Sequence, residues 1–242
     1  MSLTTTIGAL IESDKEVFPP YLYEAYKSTV KRAPSQPLIE IPLTISELTG
    51  PGPGISAVTP EDADLTTNAG TGGEALGQRI IVTGRVLDEH GRPVPNTLVE
   101  VWQCNAAGRY LHRADQWRGP LDPNFLGMGR CLTDDEGVYR FLTIRPGAYP
   151  WKNHPNAWRP AHIHFSVFGP NAVSRLVTQM YFPDDPLLAL DPIMQSSPAA
   201  QRMVATYDHG VTEPEWALGW RWDIVLRGPR QTPFESERPV GR

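Results

Sequence analysis

Residues 158–168 read WRPAHIHFSVF, and from Ala161 onward apolar and polar side chains alternate. In a β-strand, alternate side chains point to opposite faces of the sheet. One face of this strand is then apolar and consists of Ile163, Phe165 and Val167. The opposite face carries His162 and His164, whose imidazoles lie about 7 Å apart at strand rise and could converge on one metal ion. The stretch therefore predicts a strand with one core face and a candidate metal site on the other.

Five other segments show a similar alternation of apolar and polar residues: 79–88, 96–103, 137–144, 175–182 and 220–228. The first two flank the turn EHGRPVP (89–95), which predicts a hairpin-like pair. The 25 prolines and 21 glycines follow no repeat and favour short strands with long ordered loops over helices. Six short strands separated by turns predict an all-β fold, a β-sandwich core or a barrel.

The organisation of the chain changes near residue 79. Residues 1–78 combine a predicted short helical piece around Leu22 to Val30 with extended, proline-punctuated chain. This segment contains few apolar residues, and ordering it alone would cost more entropy than their burial returns. We therefore predict an extended N-terminal arm (1–78) that docks on another surface, followed by a β-sandwich domain (79–242).

Composition and charge exclude several classes of function. A formal net charge of −5, with no run of lysine or arginine, argues against nucleic acid binding, which relies on phosphate neutralisation, and favours a small substrate. The N terminus lacks a secretory pattern, and no apolar run approaches the roughly 18 residues that span a membrane, so we expect a cytoplasmic protein. Cys104 and Cys131 are too few for a disulfide framework and are expected to be free thiols.

Two loops contain tyrosines that could complete a metal site beside the histidines. Tyr110 lies in GRYLH (108–112), and Tyr149 lies in a long loop (145–160) that also carries Trp151 and Arg159. Phenolate is a hard anionic ligand, so two tyrosines and two histidines suit Fe(III) better than zinc. Two phenolates and one hydroxide would also balance the three charges of the ion. The residues alone equally allow a structural or binding module whose tyrosines pack and whose histidines bond to loop backbone.

Four longer segments favour the metal site over the structural module: VPNTLVEVWQCNAAGRY (94–110), LDPNFLGMGRCLTDDEG (121–137), GAYPWKNHPNAWRPAHIHFSVFG (147–169) and LVTQMYFPDDP (176–186). Together they resemble the intradiol ring-cleaving dioxygenases, and the likeness runs from about Tyr26 to Pro229. The resemblance implies a β-sandwich that holds non-haem ferric iron. Its ligands would be Tyr110, Tyr149, His162 and His164.

The resemblance also implies a reaction and roles for individual residues. A catechol would be cleaved by O2 between its two hydroxylated carbons. Arg159 matches the arginine that stabilises negative charge on the ring, and Gln179 matches its partner. The residues that match the substrate pocket are Tyr26, Trp151, Tyr181 and Ile193. Tyr149 would leave the metal when substrate binds, and Gly147 with its neighbouring prolines gives this loop hinge-like chemistry.

Finally, the resemblance implies a partner chain. Related iron-bearing beta subunits pair with a homologous alpha subunit that has the same fold, lacks a working iron site and contributes to the pocket around the ring substituent. Homodimeric relatives carry a helical N-terminal dimerisation region that we do not find in this sequence. We therefore expect a higher-order hetero-oligomer, with the ring substituent, carboxylate or sulfonate, left open.

Overall fold

The computed structural model describes residues 18–37, 39, 57–153, 155, 157–169 and 175–235. Within these residues the chain forms eleven strands. They are β1 (Arg79–Leu87), β2 (Leu98–Trp102), β3 (Met128–Leu132), β4 (Val138–Ile144), β5 (Tyr149–Pro150), β6 (Trp158–Arg159), β7 (His162–Phe168), β8 (Arg175–Tyr181), β9 (Thr206–Tyr207), β10 (Leu218–Arg221) and β11 (Ile224–Val225).

The helices of the described residues are short. They are α1 (Thr29–Arg32), α2 (Pro192–Gln195) and three 3-10 helices at Pro60–Ala63, Leu188–Leu190 and Ala200–Met203. The helical piece expected around residues 22–30 is therefore a single turn that begins later than predicted. None of the described helices is long and apolar enough to cross a membrane.

The longer strands form two sheets. In one sheet the order is β11-β1-β10-β9, with β4 also paired to β1, and in the other it is β3-β2-β7-β8. The apolar faces of the two sheets enclose the main core, where Ile163, Phe165 and Val167 are fully buried. Burial of such side chains stabilises the fold by about 1.5–3 kcal/mol each. The predicted β-sandwich and the predicted apolar face of residues 162–168 are confirmed.

The hairpin-like pairing of the first two strands is confirmed only next to the turn, where Leu87 and Pro93 form an antiparallel bridge, and does not continue along β2. β1 pairs antiparallel with β4, whereas β2 pairs with β3 and β7 in the opposite sheet. The turn between β1 and β2 closes on itself through the Asp88 N–H, which donates to the Arg92 carbonyl. The Val94 N–H also donates to the Val86 carbonyl at 2.9 Å, and beyond it Pro95 has no N–H to extend the ladder. The chain instead passes through Asn96, in the left-handed region at φ 51°, and enters the second sheet.

Strand register places the histidine face between two neighbours. On β7, His164 lies opposite Trp102 of β2 on one side and opposite Gln179 of β8 on the other. His162 lies opposite Tyr181. Because directly opposite residues in antiparallel strands have adjacent side chains, this register brings β8 side chains to the candidate site.

The described parts of the N-terminal segment pack on the sandwich. Leu65 is fully buried in the main core, and its N–H donates to the Leu142 carbonyl at 2.9 Å. The Lys27 N–H donates to the Asn153 carbonyl at 2.7 Å, which ties the segment to the loop that follows Tyr149. The division of the chain at residue 78 stays a prediction, and residues 1–17 and 40–56 lie outside the described part.

Both cysteines are buried free thiols, as expected from their number. Burial raises the pKa of the Cys104 thiol and of the Cys131 thiol to about 12. Thiols with such a pKa remain protonated and unreactive at neutral pH.

Candidate metal centre

The four side chains predicted as metal ligands lie together. The ring centres of His162 and His164 are 4.9 Å apart. The Tyr149 hydroxyl is 3.4 Å from His162 Nε2, and the Tyr110 ring centre is 5.5 Å from that of Tyr149. They come from three places in the chain: the loop after β2, the two-residue strand β5, and β7.

The two tyrosine loops fit against each other through glycines. Gly108 has a φ of +74°, and a Cβ on it would lie 2.3 Å from the Ala148 carbonyl oxygen. A Cβ on Gly147 would lie 2.4 Å from the Ala106 carbonyl oxygen, and the Gly147 N–H donates to Asn105 at 3.0 Å. The Gly147 amide is therefore anchored by a hydrogen bond, and the hinge expected there stays a prediction.

His162 presents a neutral nitrogen to the cluster. Its Nδ1 lies 2.7 Å from the Pro160 carbonyl oxygen, which can only accept, so Nδ1 carries the hydrogen. Arg159 Nη1 donates to Nε2 at 3.1 Å and requires the same tautomer. Burial, with additional repulsion from Arg159 and His164, holds the pKa of His162 well below its usual value of 6.5. The imidazole is thus in the form that binds metals.

His164 is oriented by a carboxylate. Its Nδ1 lies 2.8 Å from Glu235 Oε2, and its ring stacks on Trp102 with centres 4.8 Å apart and planes 5° apart. Burial alone would raise the pKa of Glu235, but the hydrogen bonds from His164 and Gln179 and the nearby positive charge together outweigh it and the pKa is lowered. With Nδ1 engaged, Nε2 is the nitrogen available to a metal. Metal-binding histidines commonly donate their second N–H to a carboxylate or a carbonyl, as these two do.

Tyr110 supplies a test of whether a metal fits. Its hydroxyl is buried and has no hydrogen-bond partner within the described residues, which ordinarily costs about 1–3 kcal/mol. Burial, and secondarily Tyr149, raises the pKa of this hydroxyl well above 10. The described residues contain no cluster of three or more His, Cys, Asp or Glu able to hold a metal, so an ion here would depend on the phenolates. Two phenols and two imidazoles fit ferric iron.

A buried network of charged and polar groups lies on the His162 side of the cluster. Arg159 is 2% exposed, and its Nη2 donates at 2.7 Å to both Asp191 Oδ2 and Gln179 Oε1. The same nitrogen donates to the Tyr181 hydroxyl at 2.9 Å. Burial would lower the pKa of Arg159, but Asp191 raises it well above its usual value. A fixed positive charge therefore contacts His162 from within the protein.

Comparison with known proteins gives the family. A family model described as Dioxygenase matches residues 50–228, and a model described as Protocatechuate 3,4-dioxygenase beta subunit N terminal matches residues 11–44. The protocatechuate 3,4-dioxygenase beta chain of Burkholderia cepacia is 60% identical over 219 residues, which is 90% of this chain and 93% of that protein. The chain belongs to the intradiol dioxygenase family. The resemblance read from the sequence is confirmed.

Two other members of the intradiol dioxygenase family are informative. The protocatechuate 3,4-dioxygenase alpha chain of Burkholderia cepacia is 28% identical over 165 residues, covering 66% of this chain and 78% of that protein. The structure of hydroxyquinol 1,2-dioxygenase from Pseudomonas putida DLL-E4 superimposes with a TM-score of 0.53 at 23% identity, covering 82% of this chain and 70% of that one. This second likeness concerns the fold, which is that of the family.

The residues matched to the family's substrate pocket fall into connected groups. The Tyr26 ring centre lies 4.9 Å from that of Trp151, and the Arg159 guanidinium lies 5.4 Å from the Trp151 ring centre. Tyr181 and Gln179 belong to the buried network. Ile193 is buried in α2, which follows Asp191 directly. Contact of these six residues with substrate stays a prediction.

A cavity of about 380 Å³ opens onto the cluster from the tyrosine side. Tyr110, Tyr149 and His164 line it, together with Trp102, Gln103, Leu111, His112, Asp115, Leu126, Gly127 and Met128. The cavity lies within the size range of small-molecule sites, and one aromatic ring would fill only part of it. The predicted pocket residues are not among the described residues that line it, so they approach the cluster from a different side.

Two residues of the site were not predicted from the sequence. Asp191 is fully buried against Arg159, and Glu235 contacts His164 and Gln179. Each carboxylate lies in irregular chain, where no periodic pattern indicates its direction. A signal does exist for Asp191, because it directly precedes a proline that begins a helix, but that signal indicates a helix start and not an ion pair.

Proposed function

We propose that the chain is the iron-bearing beta subunit of a protocatechuate 3,4-dioxygenase. It cleaves protocatechuate with O2 between the two hydroxylated carbons and yields 3-carboxy-cis,cis-muconate, a step of aromatic compound degradation in the β-ketoadipate pathway. The observation that carries the proposal is the cluster of two phenols and two inward-facing imidazoles beside a cavity. The 60% identity to a beta chain supports the choice of substrate.

The alternative of a metal-free binding module is less well supported. Such a module needs each buried polar group to have a protein partner, because unsatisfied groups destabilise the fold. The buried Tyr110 hydroxyl has no such partner in the described chain. This feature favours a further ligand at this position.

The four side chains would hold Fe(III), which when bound draws electron density from a dihydroxylated ring and makes that ring reactive toward O2. The protein prepares for this by fixing the rings of His162 and His164 through their Nδ1 hydrogens. Arg159 is held beside His162 by Asp191, so its charge is already in place when negative charge develops on the ring. Gln179 Oε1 accepts from the Nη2 nitrogen that also donates to Asp191.

Tyr149 would act as the base that accepts a substrate proton. Burial raises the pKa of its hydroxyl above 10, so a phenolate released from the metal takes up a proton readily. The donor would be a hydroxyl of the incoming catechol. Tyr149 lines the cavity, so rotation of its side chain would turn the hydroxyl toward that space.

Replacing Tyr149 with phenylalanine should therefore slow substrate binding far more than the later reaction with O2. The expected loss is about 100-fold in the anaerobic binding phase, the usual scale for removal of a positioned acid or base. Stopped-flow mixing without O2, followed by a second mixing with O2, separates the two phases in one sample. Anaerobic binding at the wild-type rate would exclude Tyr149 as the base.

A homologous alpha chain is the proposed partner. Apolar side chains are exposed next to the cavity, among them Leu111, Leu126 and Met128, which is 60% exposed. Exposed apolar groups around a cavity are typical of a surface that another protein covers. The alpha chain of Burkholderia cepacia, which resembles this chain, is a protein of the required kind.

Production of the chain with and without an alpha chain tests the proposed function. The complex should be red to burgundy, contain about one ferric ion per beta chain, and consume O2 and protocatechuate in equal amounts, whereas the chain alone should be poorly soluble or weakly active. Comparison with 4-sulfocatechol tests the ring substituent. A colourless, iron-free complex would exclude the dioxygenase, and full activity of the isolated chain would exclude the need for the partner.

A further inference from the structure

We infer that Glu235, in the C-terminal segment (residues 231–235), is a positioning residue of the iron site that fixes His164 toward the metal and joins it to Gln179. This inference rests on the proposed function and adds a residue to it. It concerns a carboxylate that is distant in sequence from every predicted ligand. The C-terminal segment then belongs to the site and is more than a tail of the sandwich.

The contact itself is specific. One oxygen, Glu235 Oε2, accepts from His164 Nδ1 at 2.8 Å and from Gln179 Nε2 at 2.9 Å. The two donor residues lie directly opposite each other on β7 and β8. A single acceptor oxygen contacts both by lying over that face of the sheet. The carboxylate therefore determines both the ring orientation of His164 and the amide orientation of Gln179.

The two histidines differ in how they are held. His162 is fully buried and donates to a carbonyl two residues away, so its own loop orients it. His164 is partly exposed and has a side-chain partner that lies 71 residues away in sequence. A carboxylate partner makes an imidazole a stronger donor to a metal than a carbonyl does. Loss of Glu235 should thus weaken His164 as a ligand and leave His162 intact.

The backbone of the C-terminal segment holds the carboxylate in place. The Glu235 N–H donates to the Val177 carbonyl at 2.9 Å, which docks the segment along β8. Closer to β11, the Thr232 hydroxyl accepts from the Val225 N–H at 3.0 Å and Thr232 is buried. Phe234 packs against the main core between these two points. Glu235 is therefore presented by the sandwich and not by either tyrosine loop.

The same carboxylate reaches the catalytic arginine through Gln179. The Gln179 amide donates to Glu235 through Nε2 and accepts from Arg159 Nη2 through Oε1 at 2.7 Å. Because a guanidinium can only donate, Arg159 and Glu235 require the same orientation of this amide. Removal of the carboxylate would leave Gln179 Nε2 without its acceptor and would remove one of the contacts that hold the amide beside Arg159.

The test uses the complex with the alpha chain and three variants. Glu235→Leu removes the acceptor, Glu235→Gln keeps an acceptor oxygen without the charge, and Thr232→Val loosens the segment without touching the site. Each is measured for the rate of iron loss to a chelator, the position of the visible absorption band, and the melting temperature of the iron-free protein. Activity is measured last.

Iron loss should be about 10–100-fold faster in Glu235→Leu, with a shifted band, and close to wild type in Thr232→Val. Glu235→Gln should retain iron better than Glu235→Leu but still show a shifted band, and it serves as the test if Glu235→Leu does not fold. A wild-type band and wild-type iron retention in both Glu235 variants would overturn the inference. Equal iron loss in Thr232→Val would also overturn it, because docking of the segment would then suffice. Absence of iron from the unmodified complex would instead overturn the proposed function.

Discussion

Replacement of His162 by alanine should leave the complex without bound iron, without a visible band and without turnover. His162 is fully buried, and its only nitrogen free of a backbone bond faces Tyr149 and the cluster. Alanine offers no donor atom, and the fully buried position leaves little room for another ligand to take its place. Loss of a contact that merely supports a ligand weakens metal binding by about 10-fold or more. Loss of the ligand itself should therefore reduce iron content below about one-tenth of the wild-type value. Metal analysis of purified protein measures this directly.

A related prediction concerns Tyr110, where loss of iron should be accompanied by a gain in stability of the iron-free protein. Tyr110→Phe should also lose iron, yet the iron-free protein should unfold less readily, by about 1–3 kcal/mol, because a buried hydroxyl without a partner is removed. His209→Ala, at an exposed histidine, is the matched control and should leave iron content unchanged. Full iron and an unchanged visible band in both His162→Ala and Tyr110→Phe would show that the ligand set is wrong.

The part of the fold that the sequence predicts well is the part governed by alternation. Residues 162–168 form a strand whose apolar face is buried, because period-two patterning and burial require the same arrangement. Alternation within a strand does not determine which strands pair with each other. β1 and β2 flank a tight turn but separate into two sheets, since pairing across the turn ends at Val94 and Pro95 cannot donate to a longer ladder. β3 was missed because Gly129 interrupts its pattern, at a point where a Cβ would lie 2.3 Å from Leu65.

The residues of the candidate site likewise divide into those that the sequence places and those that only the structure shows. His162 and His164 could be placed on one face from their spacing alone. Tyr110 and Tyr149 were only candidates from the sequence, because they meet where Gly108 and Gly147 let two loops approach closely, and the family resemblance is what selected them. Asp191 and Glu235 were found only in three dimensions. Their partners lie 32 and 71 residues away in sequence, and a carboxylate in irregular chain carries no sign of what it will contact.

Arg159→Leu should retain iron and lose about 100-fold or more in turnover, the scale for removal of one preorganised charge. Arg159 contacts His162 and Gln179 but contributes none of the four candidate metal ligands, so iron content should stay near that of the wild type. Steady-state rates per bound iron, measured with protocatechuate at saturation, give the loss. An unchanged rate per iron would make Arg159 a structural residue.

The buried partner of Arg159 complicates this substitution and also provides the means to interpret it. Leucine at position 159 leaves Asp191 charged and fully buried, which should lower the free energy of unfolding by about 3–5 kcal/mol. The double variant Arg159→Leu/Asp191→Leu removes both charges, and Tyr181 can still donate to Gln179 Oε1 at 2.8 Å. Stability should therefore recover in the double variant while turnover stays low, since the missing charge acts on the substrate ring. Recovery of both stability and turnover would mean that Arg159 acts only by stabilising the fold. Recovery of stability alone would show that turnover requires the positive charge itself.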